Sequence, residues 1–419
     1  MSEIDLPDFT TVSKCRSCDG PLLSLLSLGR TPLANSLLPA GEDTQEAVRY
    51  PLDLVRCAEC SLVQLAQIVP PSRLFSDYVY FSSYSSTMLQ HAERFVSQLV
   101  EREHLGPGSF VVELASNDGY LLQFLELHGI EVLGIEPATN IAHVAQNDKG
   151  IPTLARFFTA ALANELTEAG RQADVVIGNN VLAHVPSPND FVAGVALLLG
   201  PEGTASFEVP YLKDMLDRVE FDTIYHEHQC YYSVTALVRL FARHGLEIWN
   251  LERLPIHGGS IRIWAAHAGT RMHSDVVTTL LAEEREWGVT EARPYEAFAT
   301  AVADLKLDLL EVLDAAKHRG GRIAAYGAAA KGVTLTSFCG VGRQYLDFVV
   351  DRSPHKQGKR FPVDDLPIEP PSALVERRPD YTLLLTWNFA DEILQQQAAY
   401  RALGGTFILP VPNPRLVPP

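Results

Sequence analysis

The sequence predicts an α/β protein of three units: a small four-cysteine subdomain over 1–72, a Rossmann-like unit over 73–250 and a second over 251–419. Three observations carry that expectation. Four of the six cysteines stand near the N-terminus in two C-x-x-C pairs. From Ser109 onward short apolar runs alternate with helical stretches, and the alternation starts afresh at Arg322. Such alternation makes a parallel sheet covered on both faces. The length of 419 residues exceeds what one ordinary core encloses.

The N-terminal pairs are Cys15-x-x-Cys18 and Cys57-x-x-Cys60. Each pair chelates from one tight turn, and four thiolates close a tetrahedral shell around one Zn²⁺. A closed shell has no position for substrate, so this zinc is expected to be structural. A redox dithiol and an iron–sulfur cluster are the other readings of such pairs.

Beyond the cysteines, Thr87 to Glu103 shows helical apolar spacing, ended by Gly106-Pro107-Gly108. Strands are expected at Phe110–Ala115, Val132–Ile135, Asp174–Ile177 and Thr204–Val209, with a helix over Tyr120–His128. Long helices fill about 273 to 316, and a second set of strands follows at Arg322–Tyr326, Phe348–Asp351, Tyr381–Thr386 and Thr406–Pro410.

Composition excludes several classes. With 47% hydrophobic and 20% charged residues the chain is globular rather than disordered. A net charge of −17 opposes broad attachment to nucleic acid or anionic lipid, leaving a small molecule as the expected partner. No apolar run approaches the roughly 20 residues that cross a bilayer. Met1 to Thr11 lacks the basic and apolar regions of a signal peptide, so a cytoplasmic protein is expected. Oligomeric state stays open.

The segment Glu113-Leu114-Ala115-Ser116-Asn117-Asp118-Gly119-Tyr120 sits at a strand-to-helix junction, where nucleotides bind parallel sheets. Ala115 and Gly119 allow backbone approach. Glu136, after the next strand, is placed to accept both ribose hydroxyls, and Asn179-Asn180 to bracket the adenine or methionine parts. The loop lacks G-x-G-x-x-G, which suits S-adenosylmethionine better than NAD, the alternative ligand.

Nearly the whole chain resembles the zinc-containing sugar C-methyltransferases of antibiotic deoxysugar pathways. The likeness rests on the paired C-x-x-C, on Glu113 to Leu122, and on Asn180-Val181-Leu182-Ala183-His184-Val185. It continues through Tyr225-His226-Glu227-His228, Tyr231-Tyr232-Ser233, Gly258-Gly259-Ser260, Tyr326 to Gly332 and Asp351 to Gly358. The resemblance implies N-terminal zinc, S-adenosylmethionine in the middle unit and a nucleotide-sugar held partly by the C-terminal unit. It also implies methylation of a carbon beside a 4-keto group, most simply C3 of a dTDP-linked 4-keto-6-deoxysugar.

That chemistry needs a base for the α-proton and a donor for the developing oxyanion. The resemblance puts the base in the Tyr225-x-Glu227-His228 motif, and an imidazole suits it, so His228 is the expected base. Glu227 would orient it, while Tyr225 and Tyr80 would donate to the oxyanion. Tyr78 and Tyr84 rival Tyr80. Read without the resemblance, the histidines are a satisfied loop cluster or, with Cys230, a second metal site. His184 is expected near the donor or in a structural role.

In the C-terminal unit, Tyr326-Gly327 precedes a helix that carries Lys331, and Asp351 follows the next strand. A helix start with an ammonium suits a pyrophosphate, so Tyr326, Gly327, Lys331, Asp351 and Lys356 are expected to hold the substrate's nucleotide. Arg352, Lys356, Lys359 and Arg360 also read as a solvated basic loop. Methylation of oxygen or nitrogen on another small acceptor, or a non-catalytic zinc-ribbon binding protein, are the competing functions.

Overall fold

A computed structural model describes residues 8–40, 47–75, 81–256 and 258–419. The N-terminal unit is an antiparallel sheet of Leu22–Pro32, Arg49–Cys57, Val63–Leu65 and Cys230–Tyr231. Its last strand is borrowed from far along the chain, with Cys230 opposite Gln64 and Tyr231 opposite Val63.

The middle sheet has seven strands in the order 246–254, 260–267, 199–210, 173–179, 110–114, 131–135, 153–154. The five beginning with Leu199–Pro210 run parallel, and the first two form an antiparallel edge. Phe110–Leu114 is apolar apart from Glu113 and buried along its length, as a central parallel strand must be. Ahead of it the helix Ser86–Arg102 begins at Ser85, whose hydroxyl accepts from Met88 N. A division at 250/251 falls inside Leu246–Leu254, and Ser260–His267 still belongs to this sheet, because the two strands pair with each other and with Leu199–Pro210.

Two helices connect to the C-terminal unit. Asp275–Trp287 ends on Gly288, whose φ of 95° closes the helix in the left-handed conformation. Arg293–His318 buries Tyr295, Phe298, Val302, Leu305, Leu309 and Leu313, spaced three or four apart along one face. That face packs into a core shared by Leu52, Leu54 and Val63 of the N-terminal sheet and by Ile323 and Val349 of the last sheet. The four-cysteine unit is therefore wedged into the body of the molecule.

The last sheet is ordered 360–361, 366–369, 346–350, 323–326, 381–384, 406–409, 415–417. Its five inner strands are parallel and its outer two antiparallel. No helix among the described residues is long and apolar enough to cross a membrane.

Candidate active site

A cavity of about 800 Å³ lies where the C-terminal strand ends of both large sheets face each other. Such strand ends are where open α/β sheets bind ligands. Ala115, Asn117, Tyr120, Glu136, Asn179 and Asn180 line it from the middle sheet, and Ala330, Lys331, Lys356 and Thr386 from the last. Between them lie His184, Tyr225, Glu227 and His228.

On the middle-sheet side, the ends of two adjacent strands, Phe110–Leu114 and Ala173–Asn179, turn sharply. Ala115, Asn117 and Asn180 hold φ of 55°, 50° and 55°, a left-handed conformation uncommon outside glycine. Glu136 accepts hydrogen bonds from Asn117 N at 3.0 Å and Ala138 N at 2.9 Å, so its carboxylate is fixed at the crevice. Burial holds its pKa above the ordinary carboxylate value. Asn117 Oδ1 accepts from Ser82 N at 2.8 Å, and Asp118 is bound by Ser83 and by Lys149, the latter at 3.0 Å. Asn179 Oδ1 is buried with no hydrogen-bond partner among the described residues. A buried, unspent acceptor beside a fixed carboxylate suits the hydroxyls and amino groups of S-adenosylmethionine. Glu113 and Gly119 do not line the cavity. Glu113 is buried under the loop and kept well above the carboxylate range by burial and by Glu136 and Asp118. Gly119 packs onto Ile151, whose Cγ1 would lie 2.8 Å from an added Cβ.

The segment Tyr225-His226-Glu227-His228 follows the short helical turn Phe221–Thr223. His228 Nδ1 lies 2.8 Å from the Thr223 carbonyl and Nε2 lies 2.8 Å from the Tyr225 hydroxyl. A carbonyl only accepts, so Nδ1 carries the proton and the neutral ring offers its lone pair on Nε2. The ring of His184 stands edge-on, 4.8 Å away, and burial pulls its pKa to about 4, so it is neutral at pH 7. Glu227 accepts from Asn35 Nδ2 at 2.7 Å, and burial raises its pKa to about 7. The group that sets the His228 tautomer is thus a backbone carbonyl rather than Glu227. Neither Thr223 nor Asn35 bears a signal in the sequence, since one acts through its backbone and the other arrives from the N-terminal unit. Tyr78 and Tyr80 lie outside the described residues. Tyr84 stacks on Phe81 and His355, with centroids 5.3 and 6.0 Å away.

On the opposite wall Asp351 accepts from Ala328 N and Ser353 N, both at 2.8 Å, so it braces the turn after Gly327 instead of lining the cavity. Lys356 donates to the Ala328 carbonyl at 2.8 Å. The Lys331 ammonium rests 4.1 Å above the Trp387 ring, and the indole N–H donates to Asp222 at 2.6 Å. Gly327 approaches Thr386 so closely that an added Cβ would sit 2.6 Å from its methyl. Tyr326 is not brought to the cavity. Its ring packs among Phe348, Val350 and Leu384 on the far face of the sheet, because side chains of a strand alternate between faces.

At the N-terminus the four sulfurs of Cys15, Cys18, Cys57 and Cys60 lie within 4.8 Å of one another. All four are free thiols, and four soft sulfurs at this spacing fit a Zn²⁺ shell. The hydrogen bond from Cys60 draws the Cys15 thiol down to about 5, toward the thiolate that a metal takes. This unit reaches the active site: Arg16 donates to the Leu65 carbonyl at 2.7 Å and to Gln229 Oε1 at 3.0 Å, next to His228.

A donor crevice on a seven-stranded α/β sheet, with a second crevice facing it across an imidazole, defines an S-adenosylmethionine-dependent methyltransferase. Comparison with known proteins agrees and narrows this. The methyltransferase domain family matches residues 88–251, a zinc binding domain family 15–75, and the C-methyltransferase C-terminal domain family 255–412. C-methyltransferase NovU of Streptomyces niveus is 38% identical over 408 residues, covering 97% of each chain. The chain belongs to the sugar C-methyltransferase family and is a zinc-binding, S-adenosylmethionine-dependent C-methyltransferase. Among solved structures, the magnesium protoporphyrin IX methyltransferase of Synechocystis PCC 6803 with bound SAM is 16% identical. That match covers 47% of this chain and 89% of the other, with a TM-score of 0.34. A SAM-dependent methyltransferase of Clostridium acetobutylicum is 12% identical, covering 43% and 92%, with a TM-score of 0.36. Likeness this distant says nothing about substrate.

Proposed function

We propose that the chain methylates C3 of a nucleotide-linked 4-keto-6-deoxysugar, with dTDP as the nucleotide and His228 as the base. The observation that carries this reading is the tautomer of His228. Its Nδ1–H is committed to the Thr223 carbonyl, and its basic Nε2 belongs to a cavity wall shared by both crevices. S-adenosylmethionine, held by Asn117, Glu136, Asn179 and Asn180, supplies an electrophilic methyl carbon when bound. The chain supplies the rest.

A C–H beside a ketone becomes a carbon nucleophile only once its proton leaves and the enolate oxygen is stabilised. Nε2 takes the proton while the C–H electron pair passes into the carbonyl system. The Tyr225 hydroxyl, which donates to Nε2 in the absence of sugar, turns to the ketone oxygen as the C–H takes its place at the imidazole. Lys331 and Lys356 face the diphosphate from the C-terminal wall. Tyr80 is a second candidate oxyanion donor. Glu227 and His184, both uncharged for much of the time at pH 7, keep the wall around His228 free of a fixed anion.

Solvent exchange tests the reading. With a dTDP-4-keto-6-deoxyhexose in deuterated water, the C3 proton should exchange on the wild-type chain and not on His228→Ala. Full exchange and turnover in His228→Ala would end the base assignment. A labelled methyl found on oxygen or nitrogen would end the C-methylation of this substrate.

A further inference from the structure

Gly258-Gly259 and the carboxyl of Glu220 form a feature that the chemistry above leaves unused. Glu220 is only 3% exposed, yet it lines the cavity that also holds Thr223, Tyr225, His228 and Lys331. Its backbone is pinned by Glu220 N to the Met215 carbonyl at 2.9 Å and by Thr223 N to the Glu220 carbonyl at 3.1 Å. Its carboxyl makes no hydrogen bond among the described residues. Glu284 is spent entirely inside the fold, accepting from Tyr211 Oη, Val234 N, Thr235 N and Thr235 Oγ1 at 2.6–2.9 Å.

Space for the Glu220 carboxyl is made by a bare backbone. A Cβ on Gly258 would lie 2.2 and 2.6 Å from its two oxygens, so no other residue fits at that position. Gly258 also has a φ of 89°, which favours glycine independently. The charge that acts on it most strongly is the Lys331 ammonium, which makes no hydrogen bond among the described residues and rests on Trp387. Burial pushes the Glu220 carboxyl up to about 8, against the pull of Lys331, so at neutral pH it both accepts and donates hydrogen bonds. A buried polar group without a protein partner is costly unless a ligand satisfies it. The sugar is the ligand that the cavity is read to take at this wall, since Glu220 feels the charge of Lys331 from the C-terminal unit, while Asn117, Glu136 and Asn179 stand at the strand ends of the middle sheet.

We propose that Glu220 is a substrate-positioning residue whose carboxyl hydrogen-bonds a ring hydroxyl, or an amino group in its place, flanking or borne by the carbon that is methylated. This rests on the nucleotide-sugar reading above. It makes Glu220 and Lys331 neighbours with different tasks: the carboxyl grips a neutral ring substituent while the ammonium meets the anionic diphosphate. A one-point phosphate anchor leaves the hexose free to turn. The added contact orients the reacting C–H toward Nε2, and misorientation is costly in rate even when binding survives.

The test pairs enzyme and substrate deletions. Wild type, Glu220→Gln and Glu220→Ala are assayed with a dTDP-4-keto-6-deoxyhexose and with its 2-deoxy and 3-deoxy counterparts. Donor affinity by calorimetry and thermal melting serve as checks that each variant is folded. The expected result is a loss of kcat/KM of roughly 10- to 100-fold in Glu220→Ala on the full sugar, smaller in Glu220→Gln. The loss should largely vanish on one deoxy substrate, with donor affinity unchanged within about twofold. A loss of equal size on all three sugars overturns the assignment, because a structural role would not depend on the missing hydroxyl. So does a variant indistinguishable from wild type. Absence of C3 exchange on the wild-type chain with every sugar would instead remove the underlying substrate reading, and this proposal with it.

Discussion

The Tyr225 hydroxyl sits 2.8 Å from His228 Nε2, while the Thr223 carbonyl holds the other ring nitrogen. In the proposed mechanism one residue therefore covers the lone pair that takes the proton and also serves the developing oxyanion. Tyr225→Phe removes the proposed oxyanion donor and leaves the proposed base. Turnover should fall by about 10²- to 10³-fold while donor affinity holds. Rapid-quench measurement of methyl transfer would show it, and a variant within twofold of wild type would limit Tyr225 to packing.

Glu136 anchors both the donor loop and, in this reading, the donor. Glu136→Ala strips two backbone amides of their acceptor and the ribose of its partner. Donor affinity measured by calorimetry should drop by about 10- to 100-fold. Glu136→Gln, which keeps an acceptor oxygen, should lose less.

The zinc shell should matter to catalysis at a distance. Cys230–Tyr231, two residues past His228, is an edge strand of the sheet that the four cysteines staple. Purified protein should carry one zinc per chain by elemental analysis. Cys57→Ser or prolonged chelation should lower the melting temperature by roughly 5 °C or more and slow turnover. Retained activity in metal-free protein would separate the sheet from the site.

His226 gives a pH signature. Its ring is buried, its Nε2 lies 3.1 Å from the Pro51 carbonyl, and burial depresses its pKa to about 4. An unfolded histidine titrates near 6.5, so between about 6.5 and 4 the unfolded chain binds a proton that the folded chain excludes. Stability is therefore lost as the pH falls through that window. Between pH 7 and pH 5, wild type should lose about 2 kcal/mol more than His226→Gln, at about 1.4 kcal/mol per pH unit. Denaturant melts at the two pH values measure the difference. Equal losses would show that the ring is protonated in the fold.

The three-unit organisation, the strand ends that carry Ala115, Glu136 and Asn179, and the four-sulfur cluster were all legible in the residues. Each rests on local rules: apolar periodicity, small residues at strand-to-helix turns, and C-x-x-C spacing. These patterns depend on neighbours a few positions apart, so one linear sequence displays them. Tyr326 escaped such reading because strand alternation sends it to the opposite face.

Other features depended on contacts between segments that are distant in the chain. Asn35 meets Glu227 across 192 positions, and Arg16 meets Gln229 across 213. The tautomer of His228 depends on a backbone carbonyl, for which Thr223 offers no side-chain signal. Glu220 owes its place to Gly258, a pairing that only the close approach of two loops makes visible. Residue type determined which chemistries this protein has to hand. Packing, which excludes water and leaves each buried polar group either paired or waiting for a ligand, decided which of them are used.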